Sequence, residues 1–404
     1  MNRPEKLKLF ILMLALICAI AVGAHAQEPD QLYRVDEIPI EDLSEILPAR
    51  NVRDPLVYEF LPGTRLFAVT DRLNLIDLNA MKRIAEAPLP DSAPALDSEK
   101  LIRFDRVEAL ENGFAWIVSI ATPAEPHLKG TYYQFDNQLN VIREVNLNDY
   151  MPSPDMVYLD ISRDGSEIYI IEHSLMRRIN LESSDEKILL ETKMGFDMDL
   201  NSIGSLRLID NGKTVLFSGD KFLSVEEGGS HINTVRVYGS MSPDGENRVL
   251  TDAPDFNVEI ITDAYSPLHL HTPQTSPIAL IVPYFTGEYD SETKMIKTVY
   301  ALDVAAKHVV EIPLQAPTEE ERAKLSENGK YLATAVCESR DDGTFALVPR
   351  LYGTEKGSLL ATYEFPALSE CTNAAIGISE EDGLISVVYQ DGQAVRLVRI
   401  PIEK

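Results

Sequence analysis

Apolar residues fall in short runs of four to nine, split by turn dipeptides, along most of the chain. The same sequence of signals recurs. Two apolar runs flank Pro62-Gly63, Asn112-Gly113, Asp164-Gly165, Asn211-Gly212, Asn328-Gly329 and Asp382-Gly383. Asn-Gly and Asp-Gly between apolar runs are strong hairpin signals, because the tight turn needs positive φ at its centre. The glycines are spaced 50, 52, 47, 117 and 54 residues apart. The gap of 117 holds two periods, which places a hidden unit near Ser276-Pro277, before an apolar run at Ile278–Phe285. The chain therefore reads as seven units of about 50 residues, a spacing typical of propellers and other repeat architectures.

Each unit continues into a second hairpin. Its leading strand is recognisable in Leu73–Leu78, Thr131–Asp136, Leu175–Asn180, Asn233–Tyr238, Thr298–Asp303 and Ala346–Tyr352. Four short strands per unit predict an all-β, seven-bladed β-propeller of four antiparallel strands per blade. The seventh unit stops after its third strand, Ala394–Ile400. Leu32–Ile40 is strand-like and belongs to no other unit. It is expected to supply the missing edge and close the ring, which removes the exposed edges of an open array.

Ser162-Arg163-Asp164-Gly165-Ser166-Glu167-Ile168-Tyr169 resembles the Ser-x-Asp-Gly turn of bacterial, exported WD-repeat-like propellers. Leu75-Ile76-Asp77-Leu78 resembles the apolar-Asp-apolar third strand of that class, and the repeats look similar to those of the periplasmic propeller of the Tol–Pal system. The resemblance spans 31–401 and implies a fold, not a function. The only tryptophan is Trp116, so the Trp-Asp ending of eukaryotic repeats is lacking.

The N-terminus adds a compartment. Arg3, Lys6 and Lys8 precede an apolar run from Leu9 to Ala24, followed by Ala24-His25-Ala26. This is the layout of a secretory signal peptide over 1–26, with the propeller over 27–404. An extracytoplasmic protein with no integral membrane span after cleavage is expected. The formal charge is −27, and removing 1–26 takes away Arg3, Lys6, Lys8 and Glu5 and moves it to −29. Such a surface excludes nucleic-acid binding. The even pair Cys337 and Cys371 in an exported chain predicts a disulfide between neighbouring blades six and seven.

Chemistry is sparse. No Gly-x-Ser-x-Gly elbow is present. The longer loops fall on one face, called the top, where second strands pass to third strands and blades pass to one another. They include Thr122–Gly130, Gly219–Ile232, Thr251–Thr275 and Gln315–Lys324. His127, His173, His231, His269 and His271 map to that face, and His308 does not. His269 and His271 alternate as residues on one side of a strand do, a spacing by which two imidazoles share one divalent ion. Tyr132-Tyr133 reads as blade packing, and Asp341-Asp342-Gly343 as a solvated turn.

Two functions follow. The first is a monomeric binding or scaffold protein, without cofactor, that takes a protein, peptide or glycan on its top face. The alternative is a propeller hydrolase or lyase with one divalent metal ion held by top-face histidines and carboxylates.

Overall fold

The computed structural model describes residues 32–402 apart from 35–38, 48–56, 62–63, 94–101, 122–127, 153, 155–157, 173, 194, 197, 226–231, 253–271, 283–288, 291–294, 304–305, 320–322, 366, 369–371 and 392–393. Seven sheets form the seven blades of an all-β propeller. Two N-terminal strands, β1 (Leu32–Arg34) and β2 (Ile40–Asp42), precede blade one, which holds β3 (Val57–Leu61), β4 (Arg65–Val69), β5 (Arg72–Asp77) and β6 (Lys82–Pro88). Blade two holds β7 (Ile102–Leu110), β8 (Gly113–Ala121), β9 (Lys129–Phe135) and β10 (Val141–Asn146). Blade three holds β11 (Leu159–Ile161), β12 (Glu167–Glu172), β13 (Leu175–Asn180) and β14 (Glu186–Glu191). Blade four holds β15 (Ser202–Ile209), β16 (Thr214–Val225), β17 (Ile232–Met241) and β18 (Val249–Asp252).

In blade five, β19 (Ala279–Ile281) and the short β20 (Tyr289–Asp290) both pair with β21 (Met295–Asp303), which pairs in turn with β22 (His308–Glu319). Thr272–Gln274 occupies the axial position there without forming a regular strand; the Thr272 hydroxyl accepts from the Leu280 amide at 3.0 Å. Blade six holds β23 (Ala323–Leu325), β24 (Tyr331–Ser339), β25 (Phe345–Gly353) and β26 (Ser358–Glu364). Blade seven holds β27 (Thr372–Ser379), β28 (Leu384–Asp391) and β29 (Ala394–Pro401). The hidden fifth unit lies where the spacing placed it.

An N-terminal strand closes the ring, but not over Leu32–Ile40. The closing strand is β2, antiparallel to β29 with Ile40 opposite Val398 and Asp42 opposite Arg396. Leu32–Arg34 instead adds a fifth, parallel strand to β26 of blade six. Side-chain chemistry explains the choice. Arg396 donates to Asp42 at 2.7 Å and Arg399 pairs with Glu41. Leu43 and Leu47, just beyond β2, are fully buried with Val388, Val395 and Leu397. The anchors belong to 40–47.

The burial pattern follows position in the blade. Second strands such as β8 are buried on both faces, because each blade is covered by its two neighbours. Outer strands such as β6 alternate between exposed and half-buried residues. The core is divided among the blade junctions, with one apolar cluster at each of the seven. Between blades one and two it is aromatic. Phe67 and Phe114 lie 4.7 Å apart, Phe114 and Phe135 5.3 Å, and Trp116 and Tyr133 5.4 Å. Tyr132 and Tyr133 are buried and pack between blades, as expected.

The lower face is tied together turn by turn. In the Ser162–Glu167 turn, Ser162 Oγ donates to Asp164 Oδ1 at 2.6 Å and accepts from the Glu167 amide at 2.9 Å. Gly165 has φ of +73°, and a Cβ there would lie 2.6 Å from Gln134 Nε2. Hydrogen bonds then cross every junction of this face. Arg65 reaches Asn137, the Glu111 amide reaches Arg163, and Arg163 reaches Asn211. The Asn211 amide reaches Gln274, Thr275 reaches Glu327, Asn328 reaches Glu380, and Arg399 reaches Asn79.

Candidate functional site

Inner strands turn one side of each blade toward the axis. Among the described residues that side carries polar or charged groups in blades one to six: Glu59, Arg106 with Glu108, Asp160, Arg207, Gln274 and Lys324. Most are buried. Asp160 is 0% exposed, Arg207 1% and Glu108 7%.

These groups form one network. Arg106 Nε donates to Glu108 Oε1 at 2.7 Å, and Arg207 Nη2 approaches the same oxygen at 2.8 Å. Arg106 also pairs with Asp160 and donates to the Leu159 carbonyl at 2.9 Å. Arg207 Nη1 lies 3.2 Å from both Asp160 oxygens, and its Nε donates to the Thr272 carbonyl at 2.8 Å. The amides of Ile161 and Leu208 donate to Asp160 at 2.8 and 2.7 Å. Gln274 Nε2 donates to Asp160 at 3.2 Å and to the Ile161 carbonyl at 2.6 Å. Lys324 of blade six pairs with Glu59 of blade one past the inner strand of blade seven.

Two guanidinium groups and two carboxylates balance in formal charge, which is what makes burial of all four tolerable. Burial works against the Arg106 charge, but Asp160 and Glu108 outweigh it and raise the guanidinium further. Burial pushes the Glu108 carboxyl up to about 7; Arg106 and Lys324 pull it down and the Asp160 charge adds to the rise. The network binds blades two to five by mutual satisfaction. Its charges are spent on one another, so it is a clasp rather than a nucleophile–base pair.

The top face differs. The loop expected over Gly219–Ile232 is partly strand. β16 and β17 continue past the four-stranded sheet: β15 ends opposite Asp220, and β18 ends opposite Val237. The pairs beyond, up to Val225 with Ile232, form a two-stranded arm. Likewise β22 runs to Glu319, through part of the expected Gln315–Lys324 loop. Between blades one and two the same face holds a cleft of about 460 Å³ lined by Ser92, Val118, Ile120, Lys129 and Asn148 among others. Asn148 is occupied structurally, accepting from the Gly130 amide and donating to the Leu128 carbonyl, both at 3.0 Å. Ser92 is bonded to the Tyr133 hydroxyl at 2.8 Å.

His269 and His271, proposed from sequence as metal ligands, lie outside the described residues, as do His127, His173 and His231. His308 opens β22 opposite Asp303. Among the described residues no group of three or more His, Cys, Asp or Glu is arranged to hold a metal. Cys337 sits in β24 opposite Leu347, against the cluster between blades six and seven. Its expected partner Cys371 lies outside the described residues, immediately before β27. Asp341-Asp342-Gly343 is the tight turn expected, with Asp342 Oδ1 accepting from the Thr344 amide and hydroxyl at 2.9 and 2.6 Å.

Sequence reasoning missed the axial network. Its signal is a charge between two apolar residues in the first strand of successive units: Tyr58-Glu59-Phe60, Val107-Glu108-Ala109, Leu159-Asp160-Ile161, Leu206-Arg207-Leu208 and Ala323-Lys324-Leu325.

No family model matches the chain, and no curated protein matches it. Solved structures do resemble it at low identity. A structure of U3-55K shares 9% identity, covers 89% of this chain and 98% of its own, and has a TM-score of 0.41. A crystal structure of TolB from Acinetobacter baumannii shares 12%, with 93% and 86% covered and a TM-score of 0.35. A chain of the mitotic checkpoint complex shares 8%, with 93% and 97% covered and a TM-score of 0.45. Among the described residues, no helix is long and apolar enough to cross a membrane.

Proposed function

We propose that the chain is a non-catalytic, exported propeller that binds a protein, peptide or glycan on its top face. The observation that carries this reading is the asymmetry of the molecule. Inner-strand charges of blades two to four are paired within the network, and the lower face is laced by hydrogen bonds across every junction. The top face instead spends sequence on a raised arm and long connections. Loops that carry function on a rigid scaffold are distributed in this way. Export rests on the charged start, apolar run and small-residue site of residues 1–26.

The test is a photo-crosslinking amino acid placed singly at Phe196 or Lys129 on the top face, and at Asn211 or Glu380 on the lower face, in the native cell. Adducts of defined mass from the top positions alone are expected. Equal yields from both faces would overturn the reading. The metal alternative is read separately, from the metal content of the purified chain and of its His269→Ala/His271→Ala variant.

A further inference from the structure

Beside the arm of blade four, the connection from β14 to β15 brings Phe196 and Met198 next to the strand that carries Phe222 and Leu223. Phe196 is 48% exposed, Met198 38% and Leu223 55%. The Phe196 and Phe222 rings lie 6.3 Å apart, tilted by 52°. Among the described residues the other exposed large aliphatics are Ile84, Val141, Ile142, Ile188, Val249 and Leu360 on fourth strands and Ile40 on β2.

This group is held in place. Asn201 is buried at the foot of the arm. Its Oδ1 accepts from the Phe222 amide at 2.7 Å, and its Nδ2 donates to the carbonyls of Lys193 at 3.0 Å and Gly195 at 2.5 Å. One amide thus fixes the Phe196 segment against the arm. Leu223 is the residue at which the β16–β17 register shifts, with Phe222 opposite Thr234 and Ser224 opposite Asn233, so a bulge sets its direction. Preorganised aromatic and Met side chains are the usual anchors of protein interfaces.

The occupant follows from area and charge. Four side chains cover far less than the roughly 1,200–2,000 Å² of a stable protein–protein interface. A second copy is disfavoured further, because each copy carries a formal charge of −27. Anionic lipid is repelled for the same reason. We propose that the Phe196–Phe222 group and Leu223 form the anchor site for a short peptide segment of a partner protein, with apolar side chains flanked by Lys or Arg. This rests on the top-face reading and names the partner class for it.

The test uses the full chain and two fluorescein-labelled 12-residue peptide pools. Both carry central Leu, Phe and Trp; one has Lys/Arg flanks and the other Glu flanks. Anisotropy is read at low and high salt, with phosphatidylcholine vesicles as a separate probe. The Lys/Arg pool is expected to bind more tightly than the Glu pool and to weaken with salt. Phe196→Ser/Leu223→Ser should weaken that binding about tenfold or more, with the melting temperature unchanged. Ile188→Ser, on the outer strand of blade three, should leave it unchanged. Unchanged binding by the double variant overturns the anchor site and leaves the top-face reading standing. Equal binding of both pools overturns the basic partner, binding of neither pool overturns the proposal, and vesicle binding lost in the double variant reassigns the group to a lipid surface. Loss of face-selective crosslinking, by contrast, overturns the top-face reading itself.

Discussion

Asp160 accepts from five donors: Arg106, Arg207, Gln274 and the amides of Ile161 and Leu208. Asp160→Asn keeps the shape and removes the charge, so two buried guanidinium groups are left with Glu108 alone. Breaking a buried pair from one side costs about 3–5 kcal/mol, and chemical denaturation should show a loss of that order. Glu108 gives the network a pH dependence. Its carboxyl sits near 7 in the fold against an ordinary value of 4.5. Between those values the folded chain holds more protons than the unfolded one, so stability contributed by this group falls as pH rises from about 4.5 to 7. Glu108→Gln should flatten the slope of unfolding free energy over that window. A slope unchanged in the variant would show that Glu108 does not titrate there. The hydrogen-bonded surface aspartates Asp42, Asp136, Asp164, Asp244 and Asp342 are lowered instead, and their stabilisation is lost on acidification below the ordinary carboxylate range.

At the scale of single elements, the segment expected to close the ring as one edge strand is divided between two blades. β1 contributes three residues of backbone pairing to the outside of blade six. β2 and the residues after it close blade seven and bury Leu43 and Leu47. Deleting 27–34 should therefore move the melting temperature little. Leu43→Ala or Leu47→Ala should each cost about 2–5 kcal/mol, as buried leucines do. The reverse order of effects would return closure to β1. Most strands were legible because Asn-Gly and Asp-Gly sit between apolar runs, and positive φ at positions such as Gly165 has no common substitute. The arm was not. Gly219-Asp220 reads as the end of a strand, yet β16 runs straight through it. That glycine serves close approach, since a Cβ there would stand 2.0 Å from the Ser202 carbonyl oxygen. The axial clasp was legible only once the units are aligned, because one charge inside an apolar strand looks like an exposed residue until five units repeat it. His269 and His271 fall in a stretch outside the described residues, so their proposed site stands on spacing alone.

At the scale of the whole molecule, stability depends on closure, because each apolar cluster among the described residues spans two blades. The last junctions are the sensitive ones, since blade seven borrows its outer strand from the N-terminus. A covalent tie between blades six and seven would act there, and the proposed Cys337–Cys371 bridge fits the observed strand order. Cys337 lies near the end of β24, the second strand of blade six, and Cys371 directly precedes β27, the first strand of blade seven. In this topology the end of a second strand and the start of the next blade's first strand lie on the same face, and β24 and β27 are in contact. The bridge would close a loop of about 35 residues, worth roughly 3–4 kcal/mol on a chain-entropy estimate. It would also hold blade seven in register while β2 pairs. Intact mass after alkylation, with and without reductant, should show no free thiol at these positions in the non-reduced chain exported by its own cell. Cys337→Ser/Cys371→Ser should unfold at lower denaturant than the oxidised parent and coincide with the reduced parent. Two alkylated thiols without reductant would reject the bridge and leave the junction between blades six and seven to its apolar cluster.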